Sequence, residues 1–172
     1  MNLIPVDPVN LSLKGKLLSV VSCFSVILII AWVSQQFSLF SAYPMLTASM
    51  GASAVIVFVT PNSPLAQPWP LVGGQLVSIL IGIACSQMVS DTTFASAFAV
   101  SGSLLAMLLL RCFHPPGAAS ALAPIMSGSS ITSLGYVLLS VGLNVAIMLV
   151  LAIVINRWLL CYEYPIKSRQ RA

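Results

Sequence analysis

The residue types able to do chemistry concentrate in one stretch, Arg111-Cys112-Phe113-His114-Pro115-Pro116-Gly117-Ala118-Ala119-Ser120, which holds the only histidine and the only mid-chain cation. An isolated imidazole titrates near neutral pH and suits ion binding, gating or proton handling. The same His114 beside Arg111 equally suits a cap at the membrane interface, with Arg111 a topology anchor. Pro115 and Pro116 fit the first turn of a helix, where a missing N–H is no loss and a fixed φ is already helical. Gly117 and the small residues after it leave backbone amides uncovered, and a helix start of this kind is a natural seat for an anion. A second small-residue stretch opens at Tyr43-Pro44 and continues Thr47-Ala48-Ser49-Met50-Gly51-Ala52-Ser53-Ala54. It offers the hydroxyls of Thr47, Ser49 and Ser53, and close backbone approach at Gly51, although glycine, alanine and serine at such spacing also serve plain helix packing.

Two amides lie inside apolar runs: Gln75 after Gly73-Gly74, and Asn144 after Gly142. An amide in hydrocarbon must find a partner, so each is either an interhelical hydrogen bond or a pathway contact. Enzyme signatures are missing. Asp7, Asp91 and Glu163 all fall outside the apolar runs, so no carboxylate pair forms, and one histidine cannot make a two-histidine metal site. Cys23, Cys85, Cys112 and Cys161 show no metal-ligand spacing and read as small hydrophobes without disulfides. No cofactor is expected. The lack of a carboxylate relay in the membrane argues for an anion or a neutral solute over a cation.

The elements that must position these residues follow from the composition. Of 172 residues, 59% are hydrophobic and 6% charged, against about 25% charged in a soluble domain. This excludes a soluble enzyme, a nucleic-acid binder and a disordered tail. Charge-free stretches cover 17–90, 92–110 and 112–156, and roughly 18 apolar residues make a transmembrane candidate. Proline, glycine and polar punctuation divides the chain into apolar segments at 16–34, 42–60, 71–90, 92–110, 115–127 and 130–156, with Pro61–Pro70 as a loop. The first segment is too long for a signal-peptide core and lacks a cleavage pattern, so it reads as a retained helix. Tyr43-Pro44-x-x-x-Ala48-Ser49 and His114-Pro115-x-x-x-Ala119-Ser120 align at an offset of 71, which suggests two three-helix halves, about 16–90 and 92–157. If all six segments cross with the amino terminus inside, all seven basic residues fall on the cytoplasmic face and Asp91 alone on the other. Three crossings per half also make the halves inverted.

Met50-Gly51-Ala52-Ser53-Ala54-Val55, Ser63-Pro64-Leu65-Ala66-Gln67-Pro68 and His114-Pro115-Pro116-Gly117-Ala118-Ala119, in this order and spacing, resemble the HPP family of integral membrane proteins, named for its His-Pro-Pro motif. The resemblance covers roughly residues 15–157. It implies a membrane transporter or channel for nitrite or a similar small anion, because similar members in plants and cyanobacteria are associated with nitrite transport. The family is described with four spanning helices, two fewer than the segments counted above. Gln75 stands where a histidine often follows the second glycine, and Gly117-Ala118 stands where Gly-Gly often follows His-Pro-Pro. Some members carry a further soluble regulatory domain, for which 172 residues leave no room.

The expectation is therefore an all-α membrane bundle of two inverted three-helix halves, two of its six segments being short or re-entrant. Residues 1–13 form a cytoplasmic tail, 14–157 a single membrane domain, and 158–172 a basic cytoplasmic tail. A small monovalent anion, nitrite foremost, would be held by half-helix amino termini and by Thr47, Ser49, Ser53, Ser120, Gln75 and Asn144, with Arg111 concentrating anions at the cytoplasmic mouth. The setting would be a bacterial inner membrane, with the lipid bilayer and further copies of the chain as partners and no nucleic acid. The alternatives are a non-transporting partner subunit and a facilitator of a small neutral solute.

Overall fold

A computed structural model describes residues 11–38, 48–126 and 134–166. Thr47 and the Tyr43-Pro44 pair lie outside these residues. Six α-helices follow in chain order: α1 Leu13–Ser38, α2 Ala48–Val59, α3 Pro68–Met88, α4 Thr92–Leu109, α5 Pro115–Met126 and α6 Leu134–Val154. Helices α1, α3, α4 and α6 are long and apolar enough to cross a bilayer. Helices α2 and α5 have 12 residues each, about 18 Å of rise against a hydrocarbon core of about 30 Å. This reconciles the two helix counts: four long spans, and two short helices packed among them.

Residues 61–70 are not all loop. Pro64–Ala66 form a single 3₁₀ turn capped by Ser63, whose Oγ accepts from the Leu65 N–H at 3.2 Å. Helix α3 then starts at Pro68, so that Pro68 and Pro70 occupy its first turn. The first turn has no intrahelical acceptor for its N–H groups, so proline costs nothing there. At the other end of the bundle Asp91 caps α4, its carboxylate accepting from the N–H groups of Thr93 and Phe94 at 2.9 and 3.0 Å. Helix α6 runs on through a π turn at Ile155–Leu159, so helical structure extends two residues past the expected boundary at 157.

Hydrogen bonds between helix ends establish which ends lie together. Ser19 Oγ near the start of α1 donates to Phe58 O at the end of α2, at 2.8 Å. Asn156 Nδ2 at the end of α6 donates to Val57 O at 3.2 Å. Trp69 Nε1 at the start of α3 donates to Leu110 O after α4, at 3.1 Å. The tail after α6 returns to the same place: Tyr164 Oη donates to Ala66 O at 2.6 Å, and Ile166 N to Gln67 Oε1 at 2.9 Å. Burial pushes the Tyr164 phenol up, so it remains a donor. The chain therefore alternates up and down through all six helices. Lys14, Lys16, Arg111 and Arg157 sit at one end and Asp91 at the other, the segregation the charge positions imply.

The helix pairs that pack together exchange with one another when α1, α2, α3 are swapped for α4, α5, α6. Helices α1 and α2 pack, as do α4 and α5; α3 packs on α4 and α5, and α6 on α1 and α2; the middle helices α2 and α5 meet, as do α3 and α6. At the α2–α5 crossing Ser49 Oγ lies 2.7 Å from Ser120 Oγ. These are the equivalent serines of the 71-residue repeat, and a residue touching its own equivalent is what residues beside a two-fold axis between the halves would do.

The main core joins Val26 and Ile30 of α1, Met50 and Phe58 of α2, Ile79 of α3 and Met148 of α6. A smaller cluster, Ala95, Ala99, Ala121 and Ile125, seats α4 on α5. Phe24 and Leu28 on α1, Phe98 and Leu105 on α4, and Val150 on α6 point outward, where lipid acyl chains solvate them.

The alternating order has a direct test. In a background with Cys161→Ser, a cysteine at Asn62 and one at Ser90 will label with an impermeant maleimide from opposite sides of the membrane, because both positions are exposed and lie at opposite ends. Labelling from one side only would contradict the topology.

Candidate functional site

The site is a chain of buried polar side chains across α2, α3 and the start of α5. His114 is fully buried in the segment leading into α5. Its Nδ1 lies 2.8 Å from Leu65 O, and its Nε2 lies 2.8 Å from Ser53 Oγ on α2. Gln75 Nε2 on α3 donates to Ser53 Oγ at 3.0 Å, and Gln75 Oε1 accepts from Ser120 Oγ on α5. Ser120 Oγ in turn meets Ser49 Oγ. Ser49, Ser53, Gln75, His114 and Ser120 are all at most 1% exposed.

The donor directions follow from the acceptors at each end. A carbonyl oxygen only accepts, so His114 Nδ1 carries the hydrogen toward Leu65 O. A neutral ring then has its lone pair on Nε2, and Ser53 donates to it. Ser53 Oγ accepts from the Gln75 amide, Gln75 Oε1 accepts from Ser120, and the Ser120 oxygen accepts from Ser49. Every link uses one hydrogen and points the same way, from Ser49 to Leu65. Burying five polar side chains in hydrocarbon is tolerable only because each is hydrogen-bonded to the next.

Glycines bring the three helices close enough. A Cβ on Gly73 would stand 2.8 Å from Cys112 Cβ, and one on Gly74 would stand 2.6 Å from His114 Cβ, so this pair lets the Cys112–His114 segment lie against α3. A Cβ on Gly117 would meet Gly74 O at 2.6 Å, and one on Gly82 would meet Ala121 O at 2.1 Å. Helices α3 and α5 thus touch backbone to backbone. Other small residues of the two stretches do not bring helices together: Ala52 and Ala119 are exposed, and a Cβ on Gly51 would meet nothing within 4 Å.

The start of α5 differs from the sequence expectation. Pro115 and Pro116 bring no N–H, and the first one available, that of Gly117, donates to His114 O at 2.8 Å. Pro116 and Gly117 are buried against the bundle. The amides that would have received an anion are therefore removed or spent, and the donors of this site are side chains. Arg111 sits apart from the polar chain and is exposed. Its φ of 55° places it at the left-handed closing position of a Schellman motif, with Arg111 N bonded to Leu108 O and Cys112 N to Met107 O. Asn144 is also elsewhere: its Oδ1 accepts from Ser34 Oγ at 3.0 Å, tying α6 to α1. The structure thus joins His114, Ser120, Ser49, Ser53 and Gln75, and leaves Arg111 and Asn144 outside. Leu65, Gly73, Gly74 and Gly82, which seat the chain, were not singled out as site residues. The Gly73-Gly74 pair directly before a membrane-embedded amide is the signal for those two glycines, and Leu65 and Gly82 carry none.

The sequence pattern of the HPP family's transmembrane region matches residues 8–165, and the histidine of the His-Pro-Pro step is the link that joins the polar chain to Leu65 O. The chain belongs to the HPP transmembrane family. Two transmembrane proteins of Dictyostelium discoideum are similar to this HPP protein. One is 33% identical over 165 residues, 93% of this chain and 53% of the relative. The other is 35% identical over 149 residues, 83% of this chain and 52% of the relative. The chain spans about half the length of these curated relatives. No solved structure matches the HPP chain. In HPP terms, the histidine of the motif sets the direction of the polar chain, its two prolines strip α5 of leading N–H groups, and Gly117 admits the backbone of α3.

Proposed function

We propose that this HPP protein carries a small monovalent anion, nitrite foremost, across a bacterial inner membrane, and that it is a transporter or channel and not an enzyme. The observation that supports this most is the buried polar chain itself. It is made of hydroxyls, one amide and one imidazole, and it contains no carboxylate. Hydroxyl and amide donors can replace part of an anion's hydration shell without binding it too tightly for release. The linking hydrogens of the chain are already engaged, so an incoming anion competes for those of Ser53, Gln75 and Ser120. Exchange of internal for substrate bonds, one link at a time, is the passage step.

The basic end of the bundle is assigned to the cytoplasm, with both termini there, on the positive-inside rule. Arg111 at that end raises the local anion concentration. Further copies of the chain complete the seal around so small a bundle. Flux of nitrite, nitrate, formate and chloride into proteoliposomes tests the reading: nitrite-dependent flux above protein-free vesicles is expected, and its absence with folded protein rejects transport.

A further inference from the structure

Serines in membrane helices ordinarily return their hydroxyl hydrogen to the carbonyl one turn back. Ser22, Ser96 and Ser101 do so, at 2.7 Å each, to Leu18 O, Thr92 O and Ala97 O. Ser78 on α3 and Ser103 on α4 do not. Both are 0% exposed, and neither hydroxyl has a hydrogen-bond partner among the described residues.

The helix register sets these two at one level. Helices α3 and α4 are antiparallel, and a Cβ on Gly74 would lie 3.4 Å from Met107 Sδ. Ser78 is one turn beyond Gly74, and Ser103 is one turn before Met107. A Cβ on Gly102 would lie 3.3 Å from Ile81 Cγ2, so α4 lies close against α3 beside Ser103. Helix α5 closes the third side: Ser78 Oγ is 3.2 Å from where a Gly117 Cβ would stand. Gly117 leaves the α5 side of Ser78 free of a side chain. Gln75, three residues before Ser78, connects this level to the polar chain.

We propose that Ser78 and Ser103 are the two arms of a binding site for a small monovalent oxyanion at the α3–α4–α5 junction. Two hydroxyls that do not reach each other, in a setting without carboxylate or cation, call for one guest with two acceptor atoms. A bent oxyanion supplies two such oxygens. The proposal deepens the transport reading, since it places a bound ion one turn from Gln75.

The test uses purified full-length chain with Ser78→Ala, Ser103→Ala and the double variant, and sodium nitrite as the probe against sodium gluconate. Nitrite is expected to raise the thermal midpoint of the wild type, and this response is lost in the double variant. Each single variant raises the half-saturating nitrite concentration for flux about tenfold, the effect of one hydrogen bond to a charged group. All three keep or exceed the wild-type midpoint without nitrite, because an unpaired buried hydroxyl has been removed. An unchanged nitrite response in the double variant means a structural water only, and overturns the site. Nitrite binding that depends on both serines but comes without flux would remove the transport reading and leave the site. Wild-type flux with unaltered half-saturation in the variants would remove the site and leave transport.

Discussion

His114→Ala lowers the thermal midpoint of the detergent-purified protein by about 10 °C. The imidazole ties the Pro61–Gln67 loop to α2 through Leu65 O and Ser53 Oγ, at 2.8 Å each. Its removal leaves a buried carbonyl and a buried hydroxyl without their partner, and opens a cavity between α2 and α3. Two lost hydrogen bonds at about 1 kcal/mol each, with a cavity term of similar size, sum to about 3–4 kcal/mol; in a chain of this length each kcal/mol moves the midpoint by about 2–4 °C. His114→Gln, which can still donate to Leu65 O, recovers part of the loss. A midpoint for His114→Ala within about 2 °C of wild type would return His114 to an interface cap.

Gly82→Ala is expected to be the most damaging methyl addition among the described glycines. Its Cβ would stand 2.1 Å from Ala121 O, and the obstacle is backbone, which no rotamer change relieves. Helices α3 and α5 must separate by about 1 Å to restore van der Waals contact, and that movement draws Ser120 away from Gln75. The cost is about 3 kcal/mol or more, read as failure to purify as a monodisperse species or as a midpoint at least about 8 °C lower. Gly142→Ala is the control. A Cβ there meets nothing within 4 Å, and alanine is favoured over glycine inside a helix by about 1 kcal/mol, so this variant matches or exceeds the wild type. Equal behaviour of the two variants would contradict the backbone contact between α3 and α5.

The long spans and their charge segregation were legible in the sequence because both rest on composition, and composition survives any detail of packing. The 71-residue repeat pointed to Ser49 and Ser120 as equivalents, and they touch. What stayed hidden was which small residues pack. Gly51 and Gly82 look alike in sequence, and only the helix rotation decides that one meets open space and the other a carbonyl. The two prolines after His114 also carry opposite messages. They start a helix well, but they remove the N–H groups that make a helix start attractive to an anion, and Gly117 spends the next one on His114 O. Gln75 and Asn144 read as equivalent amides; the first joins the polar chain, and the second bonds to Ser34. Ser78 and Ser103 carry no sequence signal, because a serine that fails to bond its own helix is visible only in three dimensions.

The central claim is that the polar chain through Gln75 conducts a small anion, and nitrite flux in Gln75→Leu proteoliposomes tests it most directly. Leucine matches the size of the amide and removes both its donor to Ser53 and its acceptor for Ser120, while Ser53 keeps His114 and Ser120 keeps Ser49. The wild type should show nitrite-dependent flux, and a Gln75→Leu protein of equal monodispersity should lose it by at least about tenfold. Flux in Gln75→Leu equal to wild type would contradict the account.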